Sequence, residues 1–406
     1  MTEVTLVIRG ILRVFVMTVL SIILVAGAFT GGYAVSRQVF PPAPPPDGGA
    51  PNDWKPYFPV FWEAWNYVRQ DFYKPPVDDS KMVNGAVSGM VDALNDPHTQ
   101  FTEARIAAIM STELQGSFEG IGATVEMREG RLTIVAPIKD SPADKAGLLP
   151  NDIVLKVDNT TIQNMDINQA ISLIRGPKGT SVTLVIQRIK VPTFNVTIVR
   201  DAIRTPFVES RMIEGTNIAY LRLTQFGATA PDEMNAALRV LLAQKPTGLI
   251  FDLRRDGGGF LNVSVDVVSE FVKSGQTVLI EKQKDGATQE IKTKSGGLAT
   301  DIPMVLLIDG GSASASEIVS AALKDYRRAT LIGVKTYGKG SVQLVNTLSD
   351  KSELRVTTAH FFSPKGNEIN EVGVSPDIEV KVTDDDIANK RDPQLDRAIE
   401  FLKTGK

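Results

Sequence analysis

From about Asp201 onward, short and nearly all-apolar runs alternate with amphipathic stretches. NIAYLRLTQF reads as a strand and PDEMNAALRVLLAQ as a helix. GLIFDLR precedes a glycine turn and a helix in GGGFLNVSVDVVSEFVKSG; PMVLLIDG precedes the helix SASEIVSAALKDY and the strand ATLIGV. Apolar strands separated by helices predict an α/β fold with a largely parallel sheet covered by helices. Ligands of such sheets collect beyond the carboxyl ends of the strands. The loops DLRRDGGG, DGGSASAS and VKTYGKGS all lie at such ends, so they are expected to converge.

The last of these nearly spells a nucleotide-binding loop. In GVKTYGKGS, Gly333, Gly338 and Lys339 are in register, but Gly340 stands where a magnesium-binding hydroxyl is needed. A phosphate loop must also open a helix, whose N-terminal N–H groups face the anion. The following SVQLVNTLSD is rich in β-branched residues and reads as a strand. The pattern predicts no nucleotide site here.

The chain of 406 residues is long enough for two or three domains. A net charge of −3 gives no argument for nucleic acid. The absence of cysteine excludes disulfides and thiolate chemistry, and the only histidines are His98 and His360. Residues 14–35 carry no charge and are long enough to span a bilayer. Arg9 and Arg13 precede them, which predicts a cytoplasmic N-terminus and an exported body, in the periplasm or at the cell exterior. Cleavage as a signal peptide after the small residues 26–28 would instead release a secreted protein.

Residues 37–53 form a Pro/Gly-rich linker. Residues 54–114 read as helical, with Phe61, Trp65 and Val68 on one face and Val83, Val87, Val91 and Leu94 on another. Asp-Pro in NDPHTQF (95–101) interrupts the pattern. Residues 115–200 change to short strands with two short helices, an order that resembles a PDZ domain. Gly120, Ile121, Gly122 and Ala123 resemble its carboxylate-binding loop, SPADKAGL its first helix and NDIVLKVD the strand after it. Such a domain captures a peptide C-terminus by loop N–H groups and strand addition. The bland reading of the glycines alone is a tight turn.

In DGGSASASEI a buried strand gives way to a helix whose first turn holds Ser312, Ser314 and Ser316. N–H groups and the helix dipole at such an end suit a nucleophilic serine and a developing oxyanion. A serine is equally common there as a plain cap. The base for such a serine is not expected to be His98, in the helical region, or His360, in a strand. A lysine made neutral by burial can serve. Lys339, flanked by glycines that permit close approach, is a better candidate than Lys335.

The run GGSASASEIVSAALKDYRRATLIGVKTYGKGSVQ resembles the catalytic core of the carboxyl-terminal processing, or tail-specific, proteases. The resemblance extends to FDLRRDGGG, to GVSPDIEV near the end, and to the helical and PDZ-like regions before them. It implies a ClpP/crotonase-like protease core over residues 201–381 with a C-terminal helical tail at 382–406. It implies Ser314 as nucleophile, Lys339 as general base and Gln343 as the residue orienting the lysine. The oxyanion hole would use the N–H of Ala315 and one from Gly258 or Gly259, two donors worth roughly 3 kcal/mol each. Many relatives have Asn or Pro before these glycines where this chain has RRDGGG. Arg175 of LIRGPKGT matches an arginine implicated in coupling peptide capture to activation. The substrates implied are protein tails, with no metal, no cofactor and room for a homo-oligomer. A PDZ adaptor with an inactive protease fold is the alternative, marked by loss of Ser314 or Lys339; both are present.

Overall fold

The computed structural model describes residues 56–74 and 76–405. The apolar run 14–35 and the linker lie outside them, and among the described residues no helix is long and apolar enough to cross a membrane. The chain divides into two compact units, Met1–Lys81 and Met82–Lys406. In the first, helix α1 (Phe58–Asp71) starts at a proline in its first turn, where a missing N–H costs nothing. Its Phe61 packs edge-on to Trp62 at 5.1 Å, and no residue of the helix is fully buried. In helix α2 (Asp79–Asp92) only Val91 is buried; Val83 and the following Leu94 stay exposed. The expected helical stretch is then broken by a short strand, β1 (Gln100–Thr102), before α3 (Ala104–Leu114) and β2 (Ser117–Gly120).

The PDZ-like region follows. It runs β3 (Ala123–Arg128), β4 (Arg131–Pro137), α4 (Pro142–Lys145), β5 (Ile153–Val157), β6 (Thr160–Thr161), α5 (Ile167–Ile174), β7 (Ser181–Arg188) and β8 (Val191–Val199). Its sheet is antiparallel throughout, in the order β3-β4-β5-β7-β8 with β6 beside β5. Leu132, Ile134, Val154, Leu184 and Ile186 close its own core. Strand β9 (Asp201–Arg204) pairs with β2, so the chain enters and leaves the region through one ribbon.

The remainder contains β10 (Val208–Met212), β11 (Ile218–Leu223), α6 (Ala230–Ala243), β12 (Gly248–Asp252), α7 (Leu261–Phe271), β13 (Thr277–Gln283) and β14 (Thr288–Lys292). Then come β15 (Met304–Ile308), α8 (Ala315–Asp325), β16 (Thr330–Gly333), β17 (Ser341–Thr347), β18 (Glu353–Phe362), β19 (Ile378–Glu379), α9 (Asp384–Ala388) and α10 (Pro393–Thr404). One sheet has the order β10-β11-β12-β15-β16-β19, parallel except at β10–β11. Its central strands β11, β12, β15 and β16 are largely apolar on both sides because both faces are covered. Ala219, Leu221, Leu249, Phe251 and Leu306 face the core shared with α6, α7 and α8, while Ile218, Ile250, Val305 and Leu307 face Ala398 and Leu395 of α10.

The largely parallel sheet expected from the sequence describes this layer alone. A second sheet, β1, β18, β13 and β14 with β17 beside β18, is wholly antiparallel. With the PDZ-like sheet it makes pairing across the described residues mostly antiparallel. The reason is local: β17–β18 and β13–β14 are hairpins joined by short polar turns, with Lys351 at φ 70° in one of them.

Candidate active site

The loop after β15 and the start of α8 are pinned by their flanking serines. Ser312 is fully buried; its hydroxyl donates to the Leu253 carbonyl at 2.8 Å and accepts the Asp309 N–H at 3.0 Å. Ser316, also fully buried, donates to the Asp256 carbonyl at 2.8 Å. These two are the packing residues, and both tie the turn to the DLRRDGGG segment, Ser312 at Leu253 and Ser316 at Asp256. Ser314, half-buried between them, lines a cleft and holds a φ of 55° and ψ of −112°. A side chain in that region costs on the order of 1–3 kcal/mol, which the surrounding bonds must offset.

The principal restraint is Glu317, a residue the sequence reading passed over. It is fully buried and accepts four hydrogen bonds. Oε2 takes the N–H groups of Ser314 (2.9 Å) and Lys339 (2.8 Å); Oε1 takes the Thr336 hydroxyl (2.6 Å) and the Gly338 N–H (2.7 Å). One carboxylate therefore locks the serine turn to the lysine loop. Its position three residues after Ser314, at the third residue of α8, is the spacing of a capping box and was readable as such.

The glycines of the lysine loop have identifiable reasons. A Cβ on Gly340 would lie 2.3 Å from the Asn370 N, and Gly338 adopts a φ of +100°. Lys339 thereby enters the same cleft as Ser314, and no helix follows it: the chain continues directly into β17. Burial lowers the Lys339 pKa, and the Arg355 guanidinium lowers it further, against the pull of Asp96 and Glu317. Lys335 is exposed.

The cleft, about 780 Å³, is also lined by His98, Gln343 and Arg355. His98 was expected to lie elsewhere. It comes here because β1 pairs with β18, and the Thr99 hydroxyl accepts the Thr357 N–H at 3.1 Å. Asp96 anchors the same turn; despite burial, bonds from Thr357, Thr99 and the His98 N–H hold its pKa at about 2. Burial and the neighbouring Lys339 lower the His98 pKa. His360 remains on β18.

Two expected bonds differ. The Gln343 amide donates to Ser341 (2.8 Å) and Thr357 (3.3 Å); among the described residues neither Gln343 nor the Ser314 hydroxyl bonds to Lys339 Nζ. The Gly258 N–H, one of two candidate oxyanion donors, is committed to Asp256 Oδ1 at 2.8 Å. Gly258 nevertheless sits hard against the serine turn, where a Cβ would lie 2.7 Å from the Ala313 carbonyl. The N–H groups of Gly259 and Ala315 have no hydrogen-bond partner among the described residues, so these two are free to face an oxyanion.

In the PDZ-like region Ile121 is buried, and Gly122, at φ +77°, has no room for a Cβ beside Ser141. The carbonyls of Ile121 and Gly122 accept from Ala143 and Ile138, which fixes the turn. Ala123 opens β3 and Gly120 closes β2. Arg175 is far from a free surface charge. It bonds to Glu113 at 2.5 Å and lies 4.4 Å above the Phe118 ring. Glu113 belongs to α3, which lines the cleft.

Residues 217–380 match the model of peptidase family S41, and residues 133–188 match a PDZ domain. The carboxy-terminal-processing protease of Bartonella bacilliformis is 39% identical over 326 residues, covering 79% of this chain and 74% of the relative. The carboxy-terminal processing protease CtpA of Bacillus subtilis is 35% identical, covering 79% and 68%. A solved S41 protease structure from Bacteroides fragilis shares the fold with a TM-score of 0.53 at 16% identity, covering 83% of this chain and 92% of that one. On this identity and coverage, the chain belongs to the carboxy-terminal processing proteases, serine peptidases with a PDZ domain.

Proposed function

We propose that this protease works through a Ser314–Lys339 dyad and cuts exported proteins near their C-terminal tails. The observation that carries the reading is the meeting of the two residues in one cleft, with the lysine amine moved toward its neutral form by burial. A neutral Lys339 takes the Ser314 proton as the hydroxyl attacks the scissile carbonyl. The N–H groups of Ala315 and Gly259 then receive the oxyanion. The missing Ser314–Lys339 bond suits a site whose contacts tighten when substrate is present. Gln343 would turn its carbonyl oxygen toward the lysine amine while its amide keeps Ser341.

Tail recognition falls to the loop Gly120–Ala123, which offers backbone N–H groups to a terminal carboxylate. The Arg175–Glu113 bond gives tail capture a physical route to α3 and the cleft. The charge-free run 14–35 would tether the enzyme to the membrane with its body outside the cytoplasm.

Alanine variants of the three serines test the assignment. Ser314→Ala is expected to cut peptides at background rate while remaining folded. Ser312→Ala, losing two buried hydrogen bonds, and Ser316→Ala, losing one, at about 1 kcal/mol per bond, are expected to melt earlier yet still cut. Normal cleavage by Ser314→Ala would overturn the dyad.

A further inference from the structure

Among the buried titratable groups, Asp256 has no part in the chemistry above. It stands in the DGGG loop, fully buried. Oδ1 accepts the Gly258 N–H at 2.8 Å, its carbonyl accepts the Ala313 N–H at 3.0 Å and the Ser316 hydroxyl at 2.8 Å, and Oδ2 meets no donor among the described residues. Asp256 thus joins the glycine turn to the serine turn, the two segments that supply the oxyanion donors. An ionised carboxylate with one oxygen sealed from water and unpaired is disfavoured relative to the neutral acid.

We propose that Asp256 is a positioning residue that works as a neutral carboxylic acid, and that its ionisation limits the enzyme on the alkaline side. This rests on the Ser–Lys reading above. The surrounding charges do not favour the anion enough to prevent protonation. Burial raises the pKa to about 8, against the Gly258 N–H and the charge of Arg222 on β11, which favour the anion. On its own loop Arg254 is paired with Asp252 and Asp392, and Arg255 lines the cleft. On the serine side Asp309 bonds to the Arg255 N–H and Glu317 is taken by the lysine loop. Lys339 stands across the cleft.

An anion at Asp256 would repel the oxyanion forming at the adjacent donors and would loosen the turn by drawing in water. The rate should therefore rise with pH as Lys339 loses its proton and fall again as Asp256 loses its own. Well above pH 8 the fall approaches about tenfold per pH unit. Asn keeps an oxygen for the Gly258 N–H but cannot ionise.

Two measurements on the full chain test this. Infrared difference spectra of the wild type minus Asp256→Asn at pH 7 are expected to show the C=O stretch of a protonated carboxylic acid, lost on titration to pH 10. Rate profiles for peptide cleavage are expected to show the alkaline fall in the wild type and its absence in Asp256→Asn. No protonated-carboxyl band at pH 7 would overturn the proposal whatever the rates. The same alkaline fall in both proteins would overturn its functional half. Failure of the dyad reading is separately visible, as cleavage by Ser314→Ala.

Discussion

At the scale of single residues the account turns on how a lysine is made a base. Only the neutral amine can accept a proton, so activity should rise with pH along a limb set by Lys339. Burial and Arg355 both act to lower that pKa, so the limb should lie below the ordinary lysine range near 10.4. Removing the Arg355 charge in Arg355→Gln should move it to higher pH. An unmoved limb would show that burial alone sets it. Glu317 makes a sharper prediction. Its two oxygens accept four donors, and an amide nitrogen at either place would face donors only. Glu317→Gln should cost about 1–3 kcal/mol in stability and lower kcat at least tenfold, read by thermal melts and initial rates. Wild-type kcat would mean that Glu317 does not hold the serine and lysine loops in working geometry.

At the scale of elements, the legible parts of the fold were those with a strong local pattern. The doubly apolar strands, the three convergent loops and the strand after Lys339 were all readable, because period and turn chemistry lie within a few residues. Pairings made across hundreds of residues were not. Thr99 reaches Thr357, and His98 enters the cleft only because β1 adds to β18. Nothing local in NDPHTQF announces that contact. The same blindness hid the antiparallel second sheet. Helix α10 shows how a distant element is fastened. Asp392 caps it through the Leu395 N–H and also pairs with Arg254, whose guanidinium joins Asp252, Asp392 and Gln394. Asp392→Ala should destabilise the fold by about 1.5–3 kcal/mol, measured by denaturant melts. An unchanged midpoint would show that apolar packing of α10 suffices by itself.

At the scale of the whole molecule, α3 bonds to Arg175 of the PDZ-like region and also lines the cleft, which is the route proposed above between tail capture and cutting. Amidating a substrate's C-terminus removes the charge offered to the loop Gly120–Ala123 and should slow cleavage markedly. Equal rates for the amide and the free acid would remove the PDZ-like region from tail reading. The central claim is that Lys339 supplies the base for Ser314, and side-chain chemistry separates it from a mere cation in the cleft. A guanidinium keeps the charge and cannot give up its proton at ordinary pH. The deciding measurement is kcat/KM for one free-acid peptide with wild type, Lys339→Ala and Lys339→Arg, each shown to be folded by its melt. The account predicts cleavage by the wild type and background rates for both variants across the pH range. Substantial activity in Lys339→Arg, or in Lys339→Ala, would contradict it.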